Sequence, residues 1–337
     1  MTPSLGIRVD ASNELGLGHL YRCYALSRDP IFSKIIFFSK TKQLVEHSFS
    51  NEHVIAIPEN ASLDEELLIF KSQQNISKID ILLFDLFIYP EGYFQKFQAL
   101  GVPTVSLHEL EMANIGTTLM INCNAFAGYH MITPTTHQCF GPGYAILRKE
   151  ILKKPRQRNL DKVRKVLITM GGTDPGRITI KVLKALQNVR EDLIFLVHIG
   201  PSFKYRNELA DFRPSLDSRF HLMENIEELS DLMAEADLAI SAGGNTMYEL
   251  CFLGIPTLVI SQGLHQLEFA NQLASEGVVI SLGLHSDVDE INIQQHFNKL
   301  LKNMKTRKSL SANAKKIVDG LGRQRILDKI STLLPKN

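Results

Sequence analysis

The chain has 337 residues, of which 44% are hydrophobic and 22% charged, and its net charge is +1. This composition is ordinary for a folded globular protein, and at roughly 100 to 200 residues per domain the length predicts two domains. The near-zero charge argues against a nucleic-acid partner, which usually requires a clustered basic surface. No run approaches the ~18 apolar residues of a membrane-spanning helix, so we expect no stable membrane insertion.

Cysteine usage and the first residues indicate the compartment. The cysteines lack the C-x-x-C spacing of a zinc site and the pattern of a disulfide framework, so we expect buried, reduced thiols. The stretch MTPSLGIRVD lacks the charged start and apolar run of a signal peptide. We expect a cytoplasmic protein, and we expect it to be a monomer.

Short apolar runs alternate with amphipathic segments in two series. The first series contains LGIRVD, KIIFFS, HVIAIP and DILLFDLF, and the second contains KVLITMGG, DLIFLVHIG, RFHLM, ADLAISAGG, IPTLVIS and VVISLG. This alternation is typical of βαβ units, so the predicted fold class is α/β with two doubly wound parallel sheets. The polar segment LRKEILKKPRQRNLDK predicts a linker, giving domains 1–155 and 156–337. Three helices are predicted from about Val288 to Leu334.

The stretch ASNELGLGHLYRC, residues 11–23, lies between the first predicted strand and a helix that begins near Gly18. Glycines let a backbone approach a ligand, and a helix N-terminus favours negative charge. His19 has the chemistry of a general base here, and Arg22 supplies a fixed positive charge one turn later. The same pattern also fits a βα turn without function. The candidate binding residues of this stretch are Asp10, Ser12, Gly16, Gly18 and Arg22.

A second glycine-bearing turn, ITMGGTDPGR at residues 168–177, follows a buried strand of the second series. Asp174 offers a helix-capping side chain, and Pro175 fits a first helical position. The turn therefore predicts either a well-capped connection or part of a ligand site. In the second case the candidate binding residues are Gly171, Gly172 and Thr173.

The third turn is ISAGGNTMYELCFLGIPTLVIS, residues 240–261, in which a strand runs through Gly243 and Gly244 into a helix that begins near Asn245 and Thr246. Backbone N–H groups at such a helix start bind diphosphates. Glu249 is placed to accept hydrogen bonds from ribose hydroxyls, although a carboxylate there also favours the helix start electrostatically. Three such turns in one chain favour a nucleotide ligand.

Several familiar motifs are missing from the chain. It has no G-x-G-x-x-G after the first strand, no Walker A loop, no H-E-x-x-H and no G-x-S-x-G. The acidic residues Asp287 and Asp289 directly precede a helical pattern and are interpreted as its cap. We therefore predict no metal and no cofactor.

Together, the stretches IRVDASNELGLGHLYRC, GPGYAILRKEI, MGGTDP and SAGGNTMYELCFLGIPTLVI resemble the UDP-sugar hydrolases of pseudaminic acid biosynthesis and the related spore-coat-polysaccharide glycosyltransferase-like proteins. The second half of the chain is more distantly similar to the lipid II-forming N-acetylglucosaminyltransferase. The resemblance implies a GT-B fold, in which two Rossmann-like domains face a cleft, the second binds UDP and the last helix packs back against the first.

The resemblance also implies roles for individual residues. His19 matches the proposed general base, Glu249 matches a ribose ligand, and Gln266 matches a glutamine that faces the sugar or the nucleotide. The residues that match the diphosphate-binding turn are Gly243, Gly244, Asn245 and Thr246.

One stretch, SLHELEMANIGTTLMINCNAF at residues 106–126, departs from the pattern of the pseudaminic pathway hydrolases. Those enzymes carry an acidic, histidine-containing segment and a second acidic strand, for which His108 and Asn124 are partial substitutes. The stretch belongs to the sugar-side domain, so the departure bears on the identity of the sugar.

The predicted activity is metal-independent hydrolysis of a UDP-linked amino sugar, with C–O cleavage at the anomeric carbon and inversion. His19 removes a proton from the attacking water. A GT-B glycosyltransferase with a hydroxyl acceptor fits the same motifs, and a noncatalytic UDP-sugar-binding protein is a third alternative. The sequence carries no obvious apolar or basic patch for a lipid acceptor, which favours water.

Overall fold

The computed structural model describes residues 2–11, 18–49, 51–108, 116–124, 137–155, 157–224, 226 and 228–334. The chain divides into two compact units. Unit 1 comprises Met1–Arg148 together with Gly320–Asn337, and unit 2 comprises Lys149–Asp319. The linker pattern in the sequence places the division slightly later, after residue 155.

Unit 1 is built on one parallel sheet. Its strands are β1 (Ser4–Val9), β2 (Lys34–Ser39), β3 (His53–Ala56), β4 (Ile81–Asp85), β5 (Thr104–His108), β6 (Leu119–Asn122) and β7 (His137–Phe140). The helices that connect them are α1 (Gly18–Ser27), α2 (Lys42–Ser48), α3 (Leu63–Ser77) and α4 (Tyr93–Gln98). Among the described residues the strand order is β3-β2-β1-β4-β5-β6-β7.

Unit 2 repeats this architecture. Its strands are β8 (Lys165–Thr169), β9 (Ile194–His198), β10 (Phe220–Met223), β11 (Leu238–Ser241), β12 (Thr257–Ser261) and β13 (Ile280–Leu284). Its helices are α5 (Lys149–Leu152), α6 (Ile178–Leu186), α7 (Arg206–Phe212), α8 (Leu229–Glu235), α9 (Thr246–Leu253), α10 (Leu264–Ser275), α11 (Glu290–Lys302) and α12 (Met304–Ile317). The parallel strands follow the order β10-β9-β8-β11-β12-β13.

The central strands are buried on both faces, as a parallel sheet covered by helices requires. On one face of the sheet in unit 1, Ile7 packs in the same cluster as Leu20 of α1. On the other face, Phe84 packs against Phe70 of α3 and Phe97 of α4. These packing contacts therefore hold α1 on one side of the sheet and hold α3 and α4 on the other side.

Each sheet reverses its direction of growth beside its first strand. In unit 1, β2 and β3 lie on one side of β1 while β4 lies on the other, and in unit 2, β9 and β10 lie on one side of β8 while β11 lies on the other. Open parallel sheets bind ligands at such switch points, beyond the carboxyl ends of the two strands that flank the reversal. The fold therefore places one candidate crevice at β1 and β4, and another at β8 and β11.

The C-terminal segment forms three helices, α11, α12 and α13 (Gly322–Leu333), which confirms the predicted helical tail. Asp289 caps α11, as predicted, because its side chain accepts a hydrogen bond from the backbone N–H of Asn292 at 2.7 Å. No helix in the described ranges is both long enough and apolar enough to cross a membrane.

Helix α13 belongs to unit 1 and contacts it closely. Ile326 and Ile330 lie in the same core cluster as Ile7. Arg325 donates a hydrogen bond to the carbonyl oxygen of Gly143 at 2.7 Å. A Cβ atom added to Gly322 would stand 2.3 Å from the carbonyl oxygen of Ala145, so the first turn of α13 touches the backbone that follows β7.

We predict that Gly322→Ala destabilises the protein by about 1–3 kcal/mol, because the new methyl group overlaps a backbone carbonyl that cannot move away easily. This cost exceeds the ~1 kcal/mol by which alanine is favoured over glycine in helices. The measurement is urea unfolding followed by circular dichroism. Gly172→Ala is the control, since a Cβ there meets no atom within 4 Å. Equal stability of the two variants would contradict the close packing of α13.

Candidate functional site

The first switch point joins His19, on the first turn of α1, to Asp85, the last residue of β4. Val9 of β1 is the register partner of Asp85, so the carboxylate lies where the chain leaves β1. The Nδ1 atom of His19 is 2.6 Å from Oδ1 of Asp85, and both side chains are buried. An ionised carboxylate only accepts hydrogen bonds, so Nδ1 carries the proton. This tautomer leaves the lone pair of Nε2 as a base.

Arg22 binds the same carboxylate from α1. Its Nε atom is 2.5 Å from Oδ2 of Asp85 and its Nη2 atom is 2.6 Å from Oδ1, which makes a bidentate pair. The thiol of Cys23 donates to Oδ2 at 3.4 Å. Burial alone would raise the pKa of Asp85, but interactions with Arg22 and then with His19 hold this pKa well below its ordinary range. Asp85 is therefore ionised at neutral pH although it has no exposed surface.

The sequence motifs did not include Asp85, which lies 66 residues from His19 along the chain. The available signal was an acidic residue at the end of the apolar run ILLFD, which was predicted to be a strand. An unpaired buried carboxylate is very costly, so such a residue indicates a cationic or hydrogen-bonding partner.

Asp10 makes its described contacts on the other side of β1. Its Oδ1 atom accepts hydrogen bonds from the backbone N–H of Lys40 at 2.8 Å and from the hydroxyl of Ser39 at 3.2 Å, and it pairs with Arg8 at 2.7 Å. These contacts tie the end of β1 to the end of β2. Two other candidates of the first motif, Ser12 and Gly16, lie outside the described residues.

The glycine turn after β11 lies at the second switch point. Helix α9 begins at Thr246, and within the part of the chain that the structure describes, its N-cap residue Asn245 makes no side-chain capping bond. Gly243 is buried against Gln266, because a Cβ added to Gly243 would stand 2.9 Å from the Cβ of Gln266. The structure thus brings Gln266 to this turn. A carboxylate, Glu249, lies one turn further along α9 and is only 7% exposed.

Gln266 and its neighbour Gln262 connect this turn to β8. The side-chain oxygen of Gln266 accepts a hydrogen bond from the backbone N–H of Gln262 at 3.0 Å. The side-chain amide of Gln262 in turn donates to the carbonyl oxygen of Met170 at 2.7 Å. The ends of β8, β11 and β12 are therefore held together. Gln262 was not among the sequence candidates, and its neighbourhood gives no distinctive pattern.

The start of α6 differs from the start of α9 because it is already capped. The two carboxylate oxygens of Asp174 accept hydrogen bonds from the backbone N–H groups of Ile178 at 2.9 Å and Thr179 at 2.8 Å. The helix begins at Ile178, so the prediction that Pro175 occupies a first helical position is wrong. The forward reach of the Asp174 side chain explains this later start. A carboxylate at this helix start disfavours a second anion there.

Gly171, Gly172 and Thr173 form the loop that precedes this cap. Gly171 has a φ of +79°, which favours glycine, and Gly172 is exposed. A Cβ on Gly200, in the loop after β9, would stand 2.3 Å from the carbonyl oxygen of Gly171. These two loops therefore pack backbone against backbone at the carboxyl end of the sheet.

Across the described ranges, no group of three or more His, Cys, Asp or Glu side chains lies close enough together to hold a metal ion.

Comparison with known proteins identifies the class of fold to which the chain belongs. Residues 166–324 match the model of the glycosyltransferase family 28 C-terminal domain. The crystal structure of MurG from Acinetobacter baumannii superposes on 98% of this chain and 100% of its own, with a TM-score of 0.74 at 15% identity. This likeness shows the fold, so the predicted α/β, GT-B class with two parallel-sheet domains is confirmed.

Three curated proteins resemble the chain at the level of sequence. The spore coat polysaccharide biosynthesis protein SpsG of Bacillus subtilis is 27% identical over 330 residues, 94% of this chain and 95% of SpsG. The uncharacterized protein MJ1062 of Methanocaldococcus jannaschii is 31% identical over 285 residues, 78% of this chain but 57% of MJ1062. The UDP-2,4-diacetamido-2,4,6-trideoxy-beta-L-altropyranose hydrolase of Campylobacter jejuni is 23% identical over 278 residues, 80% of this chain and 96% of the hydrolase.

We predict that Asp85→Asn lowers the free energy of unfolding at pH 7 by about 3–5 kcal/mol, because it leaves Arg22 without its buried counter-charge. The folded-state pKa of Asp85 is depressed, so its stabilising effect is complete above the ordinary aspartate pKa and is lost as the pH falls towards the folded-state value. The difference in the free energy of unfolding between the native protein and the variant should be constant from about pH 5 to 7. It should become smaller below about pH 4.

The measurement is urea unfolding at several pH values. Asp64→Asn is the matched control, since Asp64 is an exposed partner of Lys96 and its removal should change stability by less than ~1 kcal/mol. A gap for Asp85→Asn that stays the same down to pH 3 would refute the ionised, paired state of this carboxylate.

Proposed function

We propose that the protein hydrolyses a UDP-linked amino sugar at the anomeric carbon. The observation that carries the proposal is the contact between His19 and Asp85 at the first switch point. It orients an imidazole with its basic nitrogen away from the carboxylate, which is the arrangement that a general base requires. The resemblance to the Campylobacter jejuni hydrolase supports water as the acceptor.

The UDP moiety is assigned to the second switch point. Within the described residues no side chain caps the start of α9, where the N–H groups of Met247 and Tyr248 bond the carbonyl oxygens of Gly244 and Asn245. The diphosphate is therefore assigned to the N–H groups of Asn245 and Thr246, whereas the start of α6 is occupied by Asp174. Glu249 is assigned to the ribose hydroxyls, and Gln266, which packs against Gly243, is assigned to the diphosphate or the sugar. The remaining residues proposed to bind substrate are Gly18, Gly171, Gly172, Thr173, Gly244 and Thr246.

The proposed reaction is a single displacement. Nε2 of His19 takes a proton from water while the water oxygen bonds to C1, and the bond between C1 and the diphosphate oxygen breaks with its electron pair leaving on UDP. The configuration at C1 inverts. Because UDP is a stable anion, the reaction does not depend on a general acid. The positive end of α9 stabilises the negative charge that develops on the leaving group.

A glycosyltransferase is the second candidate function. The match of residues 166–324 to a glycosyltransferase family 28 domain favours it, and the same histidine could deprotonate a hydroxyl acceptor instead of water. A noncatalytic binding protein is disfavoured, because burying an ionised carboxylate against His19 is costly and has no evident purpose in binding alone.

The deciding experiment supplies water as the only acceptor. The protein is incubated in ¹⁸O-labelled water with UDP-N-acetylglucosamine and, separately, with the substrate named for the Campylobacter jejuni enzyme. Mass spectrometry then follows UDP and the free sugar. Release of UDP with the label on the sugar supports hydrolysis at C–O. Binding of the UDP-sugar with no release, until a hydroxyl acceptor is added, would establish the transferase instead.

We predict that His19→Gln lowers the rate of UDP release by about 10²- to 10⁴-fold, because a positioned general base contributes a factor of that size. Binding of UDP, measured by calorimetry, should be unchanged. His47→Gln, at an exposed position on α2, is the control and should keep the native rate. A His19→Gln protein with native turnover would remove His19 from the mechanism.

We predict that Glu249→Gln weakens UDP binding by about tenfold or more, since hydrogen bonds to a charged acceptor contribute ~1.5–3 kcal/mol. The same substitution should leave binding of 2′,3′-dideoxyuridine diphosphate unchanged, because that ligand lacks the hydroxyls. Glu268→Gln, at an exposed position on α10, is the matched control. Equal losses for both ligands would show that Glu249 does not recognise ribose.

A further inference from the structure

Arg22 is occupied by Asp85 rather than directed at a ligand. Its side chain is 12% exposed, and two of its nitrogens bind the two oxygens of the Asp85 carboxylate. On α1 it follows His19 by three positions, a spacing that places both side chains on one face of the helix. The two residues consequently share one buried counter-ion.

We propose that Arg22 is a positioning residue that neutralises Asp85 and thereby sets the pH at which His19 takes up a proton. This inference rests on the proposed role of His19 as a base. Under this proposal, Arg22 controls the basicity of the His19 imidazole. The sequence motif suggests a different role for Arg22, the binding of negative charge on the substrate.

The geometry gives the physical reason. A carboxylate 2.6 Å from Nδ1 favours the imidazolium ion, and a histidine that is already protonated cannot accept a proton from water. The Nη2 atom of Arg22 lies 3.0 Å from Nδ1 of His19 and 2.6 Å from the same Oδ1 oxygen. An imidazolium would thus face the guanidinium directly. Arg22 opposes the protonation that Asp85 alone would favour, while Asp85 still fixes the tautomer.

The other titratable side chains around Asp85 stay neutral between pH 5 and 8. Burial, and then the charge of Asp85, raise the pKa of Cys23 well above its ordinary value, and the same two effects raise the pKa of Tyr89. Burial lowers the pKa of His108, at the end of β5, to about 3. Among the described groups that interact with Asp85, those that contact His19 and carry charge over this range are Asp85 itself and Arg22.

The test follows the imidazole of His19 directly and needs no substrate. Full-length protein is labelled with ¹³C-histidine, and the His19 signal is assigned as the one of eleven histidines that disappears in His19→Gln. Its titration midpoint is measured by NMR in the native protein and in three variants, namely Arg22→Met, Asp85→Asn and the double variant. Arg22→Lys, which keeps the charge, is the control.

Arg22→Met should raise the midpoint by about 1 to 3 pH units, because a nearby charge shifts a titration by that amount. Asp85→Asn should lower it, the double variant should return it close to the native value, and Arg22→Lys should move it little. A midpoint in Arg22→Met equal to or below the native one overturns the proposal. If Arg22→Met does not fold, the double variant must still titrate at higher pH than Asp85→Asn, and equal midpoints for these two overturn it.

Kinetics then separates this inference from the proposed function. If UDP is released, the acidic limb of kcat/KM should move with the NMR midpoints across the variants. Shifted midpoints without UDP release from any substrate count against the proposed hydrolysis and leave the electrostatic role of Arg22 intact. UDP release with unshifted midpoints counts against the role of Arg22 alone.

Discussion

An ionised carboxylate with no exposed surface is the constraint on which unit 1 depends. Asp85 ends a central strand, where water cannot solvate it, so its charge has to be compensated by groups on the neighbouring helix. Helix α1 supplies these groups from one face, through an imidazole, a guanidinium and a thiol. The adjacency of β1 and β4 at the point where the sheet reverses makes this possible, because it places the start of α1 beside the end of β4. The strand order and the charge of Asp85 therefore both require the start of α1 to lie beside the end of β4.

Unit 2 has the same reversal of strand order, but the helix starts beside it differ from each other. Its glycine turns after β8 and β11 both lead into helices, yet one helix start is filled by a carboxylate from its own chain and the other makes no such capping bond within the described residues. The sequences of the two turns look alike, and the difference lies in a single aspartate that folds forward onto α6. Glycine is needed at position 243 because Gln266 packs directly against it. A helix start without a side-chain cap and a helix start capped by a carboxylate thus lie side by side at the carboxyl end of one sheet.

Much of the fold was predictable because it follows from local patterns. Apolar runs alternating with amphipathic segments indicate parallel α/β units, and Asp289 was recognisable as a cap from the helical pattern that follows it. The strands β6 and β7 were not among the predicted apolar runs. His19 stood out in its glycine-rich loop, whereas Asp85 did not, because its importance arises only when β4 pairs with β1. The acidic end of ILLFD indicates that Asp85 has a partner, but long-range strand pairing determines which residues are that partner.

The attachment of α13 to unit 1 has a consequence for the order in which the molecule assembles on the ribosome. Unit 1 is made of two separate pieces of chain, and the second piece, which begins at Gly320, is synthesised after all of unit 2. Ile326 and Ile330 supply part of the core that α1 and β1 share, so this core stays incomplete while residues 149–319 are being made. The first piece of unit 1 therefore has to wait for the second piece before its apolar face is covered.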